Sequence, residues 1–329
     1  AMPWNFPFWQ VFRFAAPALM AGNAGILKHA SNVQVCAQAI EDIFTAADFP
    51  DNIFKNLVIG SDKVENVIKN PLVKAVTLTG STPAGKAVAS LAGSLLKKTV
   101  LELGGSDPYV ILEDADLDQA VNACITGRML NTGQSCIAAK RFIVVEPCRP
   151  EFTDKVAKKI KNMNMGDPLD LTIDIGPMVN ISARDELHQQ VIASLDKGAV
   201  LVTGGIIPEP PGSFYPPTLL VDVTPGMPAF DDELFGPVAV IIAAKDEQQA
   251  LELANQTKFG LGAAVFTADV KKGKKIAVEV LEAGSCFVND FVKSDPRLPF
   301  GGIKESGYGR ELSEFGIHEF VNIKSVVVQ

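Results

Sequence analysis

Cys136 is the residue whose type and setting best suit chemistry, because it ends a polar run that contains a glycine. A carboxylate, Glu102, and a carboxamide, Asn5, precede it in the segments 101–105 and 3–7. A thiolate that attacks a carbonyl needs a donor for the resulting oxyanion, and the acyl-enzyme that it forms needs a base to activate water. Cysteine, asparagine and glutamate could supply these three parts.

Each of the three residues also has a simpler interpretation when it is taken alone. An isolated cysteine is more often an inert core residue than a nucleophile. Asn5 is flanked by prolines, a setting in which asparagine is commonly a turn residue. A glutamate at a strand end, such as Glu102, is often solvated. The chemical interpretation therefore depends on the motifs around these residues.

A set of ordered motifs gives that context. They are Pro-Trp-Asn-Phe-Pro (3–7), Leu-Lys-His-Ala-Ser (27–31), Gly-Ser-Thr-Pro-Ala-Gly (80–85), Leu-Glu-Leu-Gly-Gly (101–105), Asn-Thr-Gly-Gln-Ser-Cys (131–136), Glu-Leu-Phe-Gly-Pro (233–237) and Pro-Phe-Gly-Gly-Ile-Lys (299–304). With them the chain resembles the NAD(P)-dependent aldehyde dehydrogenase superfamily, and within it the succinate-semialdehyde dehydrogenases. The interval of 34 residues between Glu102 and Cys136 is also what this family shows.

The resemblance implies a role for each of the three residues. Cys136 would attack the aldehyde carbon, and the side-chain amide of Asn5 and the backbone N–H of Cys136 would hold the oxyanion. Glu102 would be the general base that activates water for thioester hydrolysis. A rival activity within the family is an acylating dehydrogenase that passes the thioester to coenzyme A. Glu102 argues against that rival, because acylating members generally lack this base.

The resemblance also implies NADP or NAD as the cofactor. Lys28 would contact the adenosine ribose, and relatives frequently carry a glutamate, which binds the ribose hydroxyls, at the position of Ser31. A carboxylate would repel a 2′-phosphate, whereas a serine hydroxyl with Lys28 nearby can accommodate it, so the sequence permits NADP. The turn at Gly80 and Ser81 ends a strand and opens a helix, whose free N–H groups could receive the pyrophosphate.

Further residues at the cofactor site are implied only by the family's motifs. Glu233 and Phe235 resemble the residues that hold the nicotinamide ribose and ring, although the motif 233–237 taken alone could equally be a capped turn. The resemblance places two more residues at the cofactor, Trp4 and Leu103.

Arg13 is the one indication of the substrate. Succinate-semialdehyde dehydrogenases carry an arginine at this offset from the motif 3–7, where it binds the distal carboxylate of the substrate. A single arginine could instead neutralise a buried acid. A second arginine that some members place six residues before the nucleophile is Leu130 here, and Arg128 and Arg141 are possible substitutes. We therefore expect succinate semialdehyde as the substrate.

Composition excludes several other classes of protein. Of the 329 residues, 47% are hydrophobic and 21% charged, which is enough apolar material for two lobes. The net charge of −8 and the absence of a basic stripe argue against nucleic acid as a partner. Five cysteines without a Cys-x-x-Cys pair and only three histidines argue against a metal site. An odd number of cysteines without a secretory signal indicates a reducing compartment, which we take as the cytoplasm.

The apolar first 27 residues do not favour a membrane span. Pro3, Pro7 and Pro17 interrupt them, and polar residues such as Arg13 lie among the apolar positions. A buried segment that lines a site is the better interpretation, so we expect no membrane partner.

Strand-like and helix-like segments alternate along most of the chain, as in strand 75–79, helix 83–96 and strand 99–103. This alternation predicts βαβ units, in which ligands bind at the turns after strands. With the resemblance, it predicts an α/β, aldehyde dehydrogenase-like fold of two lobes, each with a largely parallel sheet flanked by helices. We expect a dinucleotide-binding lobe at 1–104, a catalytic lobe at 105–305, and a C-terminal helix and oligomerisation strand at 306–329.

The two ends of the chain lead to two further expectations. Members of the family carry a further segment before the motif 3–7, so the resemblance implies an incomplete cofactor lobe. The alternative to an active enzyme is therefore a catalytically inactive, truncated protein with a structural or interaction role. At the other end, an isolated β-rich segment at 319–328 invites pairing with another chain. Related enzymes use such a strand for assembly, so we expect a homo-oligomer, either a dimer or a tetramer.

Overall fold

Helices and strands alternate in the computed structural model, which describes residues 1–209 and 212–329. The α-helices of the described chain are α1 (Trp9–Met20), α2 (Gln34–Ala46), α3 (Val64–Lys69), α4 (Thr82–Ser94), α5 (Leu117–Met129), α6 (Arg149–Lys161), α7 (Ile181–Asp196), α8 (Pro228–Asp231), α9 (Glu247–Asn255), α10 (Val270–Glu279) and α11 (Ser313–Glu319). Its strands are β1 (Gly25–Leu27), β2 (Phe54–Asn56), β3 (Ala75–Thr79), β4 (Lys98–Glu102), β5 (Asp107–Ile111), β6 (Ala139–Val145), β7 (Val200–Thr203), β8 (Thr218–Val221), β9 (Val238–Ala244), β10 (Gly262–Phe266), β11 (Ser285–Val288) and β12 (Gly307–Tyr308).

The chain divides into two units. Unit 1 comprises Ala1–Leu103 and Ser294–Gln329, and unit 2 comprises Gly104–Lys293. Residues 294–305, which the sequence analysis assigns to the catalytic lobe, therefore belong to unit 1. The reason is backbone pairing, because β12 pairs with β4 and Phe300 exchanges two backbone hydrogen bonds with Glu311. The functions that we expect of the lobes stay predictions.

Unit 2 is built on one seven-stranded sheet in the order β11-β10-β5-β6-β9-β8-β7. All neighbouring strands are parallel except β7 and β8, which are antiparallel. Every residue of β5, β6 and β10 is buried. Such continuous burial is typical of parallel strands whose two faces are both covered, and it explains why these strands read as unbroken apolar runs.

Unit 1 contains two small sheets where we expected one. Strands β1 and β2 form a parallel pair, and β3 and β4 form a second parallel pair that β12 extends as an antiparallel edge. Gly307 makes this edge possible, since a Cβ there would collide with the backbone of Leu101 and its φ is +108°. The predicted α/β class with mostly parallel strands is confirmed in both units.

Helix α1 was missed by the sequence analysis, because three prolines interrupt the apolar run at the start of the chain. Pro17 lies in the last turn of this helix, which ends at Met20. The helix buries Val11, Ala15 and also the charged Arg13 in unit 1. Within residues 1–209 and 212–329, no helix is long and apolar enough to cross a membrane.

The C-terminal tail after α11 has no regular secondary structure within the described chain. Its apolar residues are exposed, with Ile323 at 90% and Val327 at 88% of their full accessible surface. No strand within residues 1–209 and 212–329 pairs with this tail, and its pairing with a second chain stays a prediction.

Candidate active site

The loop between α5 and β6, which carries Cys136, has a strained backbone. Asn131, Thr132 and Gly133 have φ angles of 54°, 57° and 70°, three successive residues in the left-handed region. This region is rare for residues with side chains and is a genuine outlier for β-branched threonine. Strain of this kind persists where the surroundings enforce it, and it is concentrated at functional sites.

Polar side chains hold the strained loop in place. The amide group of Gln134 donates to the Asn131 carbonyl at 3.3 Å, and its oxygen accepts from the Val179 N–H at 2.8 Å. Cys136 follows in a turn that the Ala138 N–H closes by donating to the Ser135 carbonyl at 3.2 Å. Cys136 is half-buried, so it is neither fully packed in the core nor fully exposed.

Three of the sequence motifs meet within unit 2, and glycines make the meeting possible. A Cβ on Gly105 would lie 2.6 Å from the Cys136 carbonyl oxygen, and one on Gly104 would lie 2.6 Å from Glu233 Oε2. A Cβ on Gly133 would collide with the Gly236 carbonyl. The glycine pair 104–105, the cysteine loop and the segment 233–237 are therefore in direct contact.

Lys140 is a member of this cluster that sequence reasoning missed. It lies near the start of β6 and is only 2% exposed. Its ammonium group donates to the carbonyls of Ser135 and Cys136, both at 2.9 Å, and lies 3.3 Å from Glu233 Oε1. Glu233 in turn accepts from the Gly105 N–H at 3.1 Å. The available signal was a lysine inside an apolar strand four residues after the cysteine.

Arg128 and Arg141 do not fit the suggested role of a second substrate-binding arginine. Both are completely buried. Arg128 donates to the carbonyls of Leu234 and Gly236, and Arg141 donates to the carbonyls of Ser106, Leu253 and Ala254. Burial lowers the pKa of Arg128 to about 9 and that of Arg141 to about 10, against the opposing effect of nearby carboxylates. Each guanidinium group thus bonds to backbone carbonyls that are distant from it in sequence.

Glu102 lies at the end of β4 in unit 1 and is completely buried. Neither of its carboxylate oxygens has a hydrogen-bond partner among the residues that the structure describes. Burial raises its pKa well above the usual range; Arg13 and Arg310 oppose this effect and Glu311 adds to it. The structure thus decides against the solvated glutamate that the sequence left open.

Gly301 explains part of the motif at 299–304, because it lies directly against the Glu102 carboxylate. A Cβ on Gly301 would be 2.9 Å from Glu102 Oε1 and 2.5 Å from the Gly309 carbonyl. Any side chain at this position would displace the carboxylate. The motif alone indicates no function, and this contact is visible only in the fold.

Arg13 forms a buried ion pair with Glu311, 298 residues away in sequence. The two side chains are 3% and 1% exposed. Glu311 also accepts from the Thr77 hydroxyl at 3.2 Å, and the Arg13 guanidinium lies 4.4 Å from the centre of the Phe300 ring. Of the two interpretations of Arg13, neutralisation of a buried acid is therefore the one with an observed contact, while substrate binding stays a prediction.

Replacing Glu311 by glutamine is expected to lower the free energy of unfolding by about 3–5 kcal/mol, because it leaves the buried guanidinium of Arg13 without its counter-ion. Urea denaturation followed by circular dichroism measures the change. Glu65→Gln, which removes the exposed ion pair with Lys69, is the control and should leave stability nearly unchanged. Equal stability of the Glu311 variant and the parent chain would show that the buried pair contributes little.

Asn5 and the segment around it are held by buried polar contacts in unit 1. The Asn5 side-chain oxygen accepts from the Gln10 amide at 3.1 Å, and Asn5 is 9% exposed. His29, for which sequence reasoning found no role, is completely buried, with its ring nitrogens 3.1 Å and 3.0 Å from the carbonyls of Met2 and Pro7. These contacts brace both ends of the segment that carries Asn5.

The turn between β3 and α4 fits the phosphates of a dinucleotide. Ser81 occupies the N-cap position of α4, and its side chain makes no capping hydrogen bond to the helix. An anion can therefore take the place of the cap at the positive end of this helix. A Cβ on Gly85 would lie 2.5 Å from Leu103, so this glycine lets the helix approach β4 closely, and the Gly80 N–H donates to the Glu102 carbonyl at 3.0 Å.

The remaining candidate residues are distributed over both units. Lys28, which follows β1, and Trp4 are both half-buried. Ser31 is exposed, and a contact between its hydroxyl and the ribose of a cofactor would require this exposure. Unit 1 thus carries Asn5, Glu102, Arg13, Trp4, Lys28, Ser31, Gly80, Ser81 and Leu103, and unit 2 carries Cys136, Glu233 and Phe235. The convergence of these two sets on one site stays a prediction.

Comparison with known proteins bears on the whole chain. The aldehyde dehydrogenase family matches residues 1–326. The NADP(+) succinate-semialdehyde dehydrogenase of Mycobacterium leprae (strain TN) is 50% identical over 325 residues, which are 99% of this chain and 71% of that protein. The NAD(P)+ succinate semialdehyde dehydrogenase of Escherichia coli (strain K12) is also 50% identical over 325 residues, covering 99% of this chain and 70% of the relative.

Solved structures show the same likeness. The structure of Gox0499 superimposes with a TM-score of 0.97 at 45% identity, covering 100% of this chain and 72% of that one. Succinic semialdehyde dehydrogenase from Streptococcus pyogenes, solved in complex with NADP+, gives a TM-score of 0.96 at 40% identity over 99% of this chain and 72% of that one. The similarity extends over both units, and the chain belongs to the aldehyde dehydrogenase family.

Proposed function

We propose that this NAD(P)-dependent member of the family oxidises succinate semialdehyde to the dicarboxylate, with Cys136 as nucleophile and Glu102 as general base. The observation that carries the proposal is the half-buried Cys136 thiol on a strained and well-supported loop. Relatives that are 50% identical over 325 residues and are named succinate-semialdehyde dehydrogenases support the choice of substrate.

The first half of the reaction uses Cys136 and Asn5. The Cys136 thiol releases its proton to solvent and its sulfur forms a bond to the aldehyde carbon. One electron pair of the carbonyl double bond moves onto the oxygen, which becomes an oxyanion. The Asn5 side-chain amide and the Cys136 N–H donate hydrogen bonds to that oxyanion. A bound nicotinamide would supply the acceptor for the hydride that leaves the same carbon, and Cys136 would then hold the acyl group as a thioester.

The second half uses Glu102. Its carboxylate takes a proton from a water molecule, whose oxygen attacks the thioester carbon. The carbon–sulfur bond then breaks, and the sulfur takes the proton that Glu102 received and becomes a thiol again. The product acid loses its remaining proton to solvent and leaves as the carboxylate. A base must be deprotonated to act, and burial raises the pKa of Glu102. Turnover limited by hydrolysis should therefore rise with pH as this carboxyl group ionises.

NADP is the cofactor that we propose, with NAD as the alternative. Ser31 in place of an acidic residue, together with Lys28, leaves room for a 2′-phosphate. The uncapped N-terminus of α4, with Gly80 and Ser81 before it, suits the pyrophosphate.

The exposed apolar tail at 321–329 supports assembly into a dimer or tetramer.

A direct assay tests the proposal. The chain is mixed with succinate semialdehyde and either NADP or NAD, and the absorbance of reduced nicotinamide is followed without coenzyme A. We expect steady formation of reduced cofactor, faster with NADP than with NAD. Product formation that requires coenzyme A would favour the acylating activity. No reaction with a panel of aldehydes would favour a structural or interaction role.

A further inference from the structure

Lys140 makes two contacts with the loop of Cys136 that the proposed mechanism does not use. Its buried ammonium group donates to two consecutive carbonyls, those of Ser135 and Cys136, at 2.9 Å each. Lysine is rarely buried, and at 2% exposure it gives up most of its hydration for these bonds. Such a costly arrangement invites a functional explanation.

The contact to Ser135 determines where the Cys136 N–H points. A trans peptide is planar, so its C=O and N–H bonds point in opposite directions. The Ser135 carbonyl and the Cys136 N–H belong to the same peptide unit. With that carbonyl held by Lys140 and by the Ala138 N–H, the Cys136 N–H is directed to the opposite side of the peptide. A cation bound to the carbonyl also polarises the peptide and strengthens the N–H as a donor.

The charge of Lys140 acts on the same loop. Burial lowers the pKa of Lys140, the carboxylates of Glu233 and Asp107 and the thiolate of Cys136 raise it, and Arg128 lowers it further. The ion pair with Glu233 at 3.3 Å is the largest of the effects that favour the ammonium form. An ammonium group held in this position attracts the thiolate of Cys136 more than the neutral thiol.

We propose that Lys140 is a positioning residue for the nucleophile: its ammonium group orients the Cys136 N–H toward the oxyanion and favours the thiolate form of Cys136. The inference deepens the proposed function and rests on Cys136 being the nucleophile. It does not rest on succinate semialdehyde as the substrate, because it concerns only contacts within unit 2.

The test compares Lys140→Met, Lys140→Gln and Lys140→Arg with the parent chain. Methionine keeps the length of the side chain and removes charge and donors, glutamine keeps amide donors without charge, and arginine keeps both. The rate at which iodoacetamide alkylates Cys136 is measured against pH by peptide mass mapping, which separates Cys136 from the other cysteines. Steady-state kcat and KM are measured in parallel, and circular dichroism establishes which variants are folded.

For Lys140→Met and Lys140→Gln we expect the pH midpoint of Cys136 alkylation to rise by about one unit, which is roughly a tenfold loss of thiolate below the midpoint. We expect kcat to fall by roughly 10²-fold with little change in KM, because an oxyanion donor is misdirected. Lys140→Arg should recover most of both properties. If the methionine variant does not fold, the comparison of the uncharged glutamine variant with the charged arginine variant tests the inference.

An unchanged alkylation midpoint and kcat in the folded uncharged variants would overturn the inference. So would a shift in KM alone, since that would indicate a structural effect on binding. The alkylation measurement needs no turnover. A shifted midpoint in a chain that oxidises no aldehyde would therefore support the role of Lys140 while refuting the proposed function, and the two failures can be told apart.

Discussion

Replacing Cys136 by serine is expected to lower turnover of succinate semialdehyde by roughly 10⁴- to 10⁶-fold, the loss typical of removing a covalent nucleophile. A serine hydroxyl has almost the same size as the thiol but is hardly ionised near neutral pH, and no histidine lies among the neighbours described above to activate it. The strained loop and the bonds of Gln134 should remain, so the variant should fold. Steady-state assays with NADP measure the loss, and urea denaturation measures the stability.

Cys286 offers a matched control for this substitution. It is also half-buried, and it lies on β11 of the same unit. Burial raises the pKa of Cys286 to about 11, so its thiol stays protonated and unreactive at neutral pH. Cys286→Ser should keep nearly full activity. Retained activity in Cys136→Ser, or loss of activity in Cys286→Ser alone, would contradict the assignment of the nucleophile.

Replacing Glu102 by glutamine is expected to stop the reaction after a single round. The chain should release about one equivalent of reduced nicotinamide per Cys136, and steady turnover should fall by roughly 10²- to 10⁴-fold, as for removal of a general base. The thioester would then accumulate on Cys136, and intact-mass measurement would detect it. Glu113→Gln, which changes an exposed carboxylate shortly after β5, is the control. Multiple turnovers at the parent rate in the Glu102 variant would refute its role as base.

The same substitution has a consequence for stability that follows from the raised pKa. Between the pKa of an unfolded glutamate, about 4.3, and the higher pKa of Glu102 in the fold, the folded chain binds more protons than the unfolded chain. Glu102 therefore makes stability fall as pH rises through this window. Glu102→Gln should remove that part of the pH dependence and raise the stability near neutral pH relative to the parent chain, which denaturation curves at several pH values would show.

Periodicity and local motifs were sufficient to predict most of the fold. Strand β3 was predicted at its observed limits, and β4 was predicted within one residue at each end, because each has a regular apolar pattern and clear flanking turns. Helix α1 was missed, since Pro17 is normally a helix breaker and only the structure shows that the helix ends just beyond it. The family membership that the motifs indicated is confirmed.

The site was less predictable where it depends on contacts between distant residues. The sequence left two roles open for Arg13, and only the fold shows that Glu311 lies beside it. Lys140 was missed although it lies inside an apolar strand, because its shortest contacts are to backbone carbonyls, which every residue has. Nothing in the spacing of Glu102 distinguishes a buried carboxylate from a solvated one. Side-chain type and spacing identify candidates, and burial and pairing decide between their roles.

The discontinuous make-up of unit 1 has a consequence for the order of events during synthesis on the ribosome. Unit 2 is one continuous stretch and can fold as soon as Lys293 has emerged, whereas unit 1 lacks its edge strand β12 and Glu311 until residues 307–311 have been made. Arg13 must wait for its counter-ion until a further 298 residues have been translated. Ribosome-bound nascent chains that stop just before Glu311 should therefore resist protease over residues 104–293 and be digested over residues 1–103.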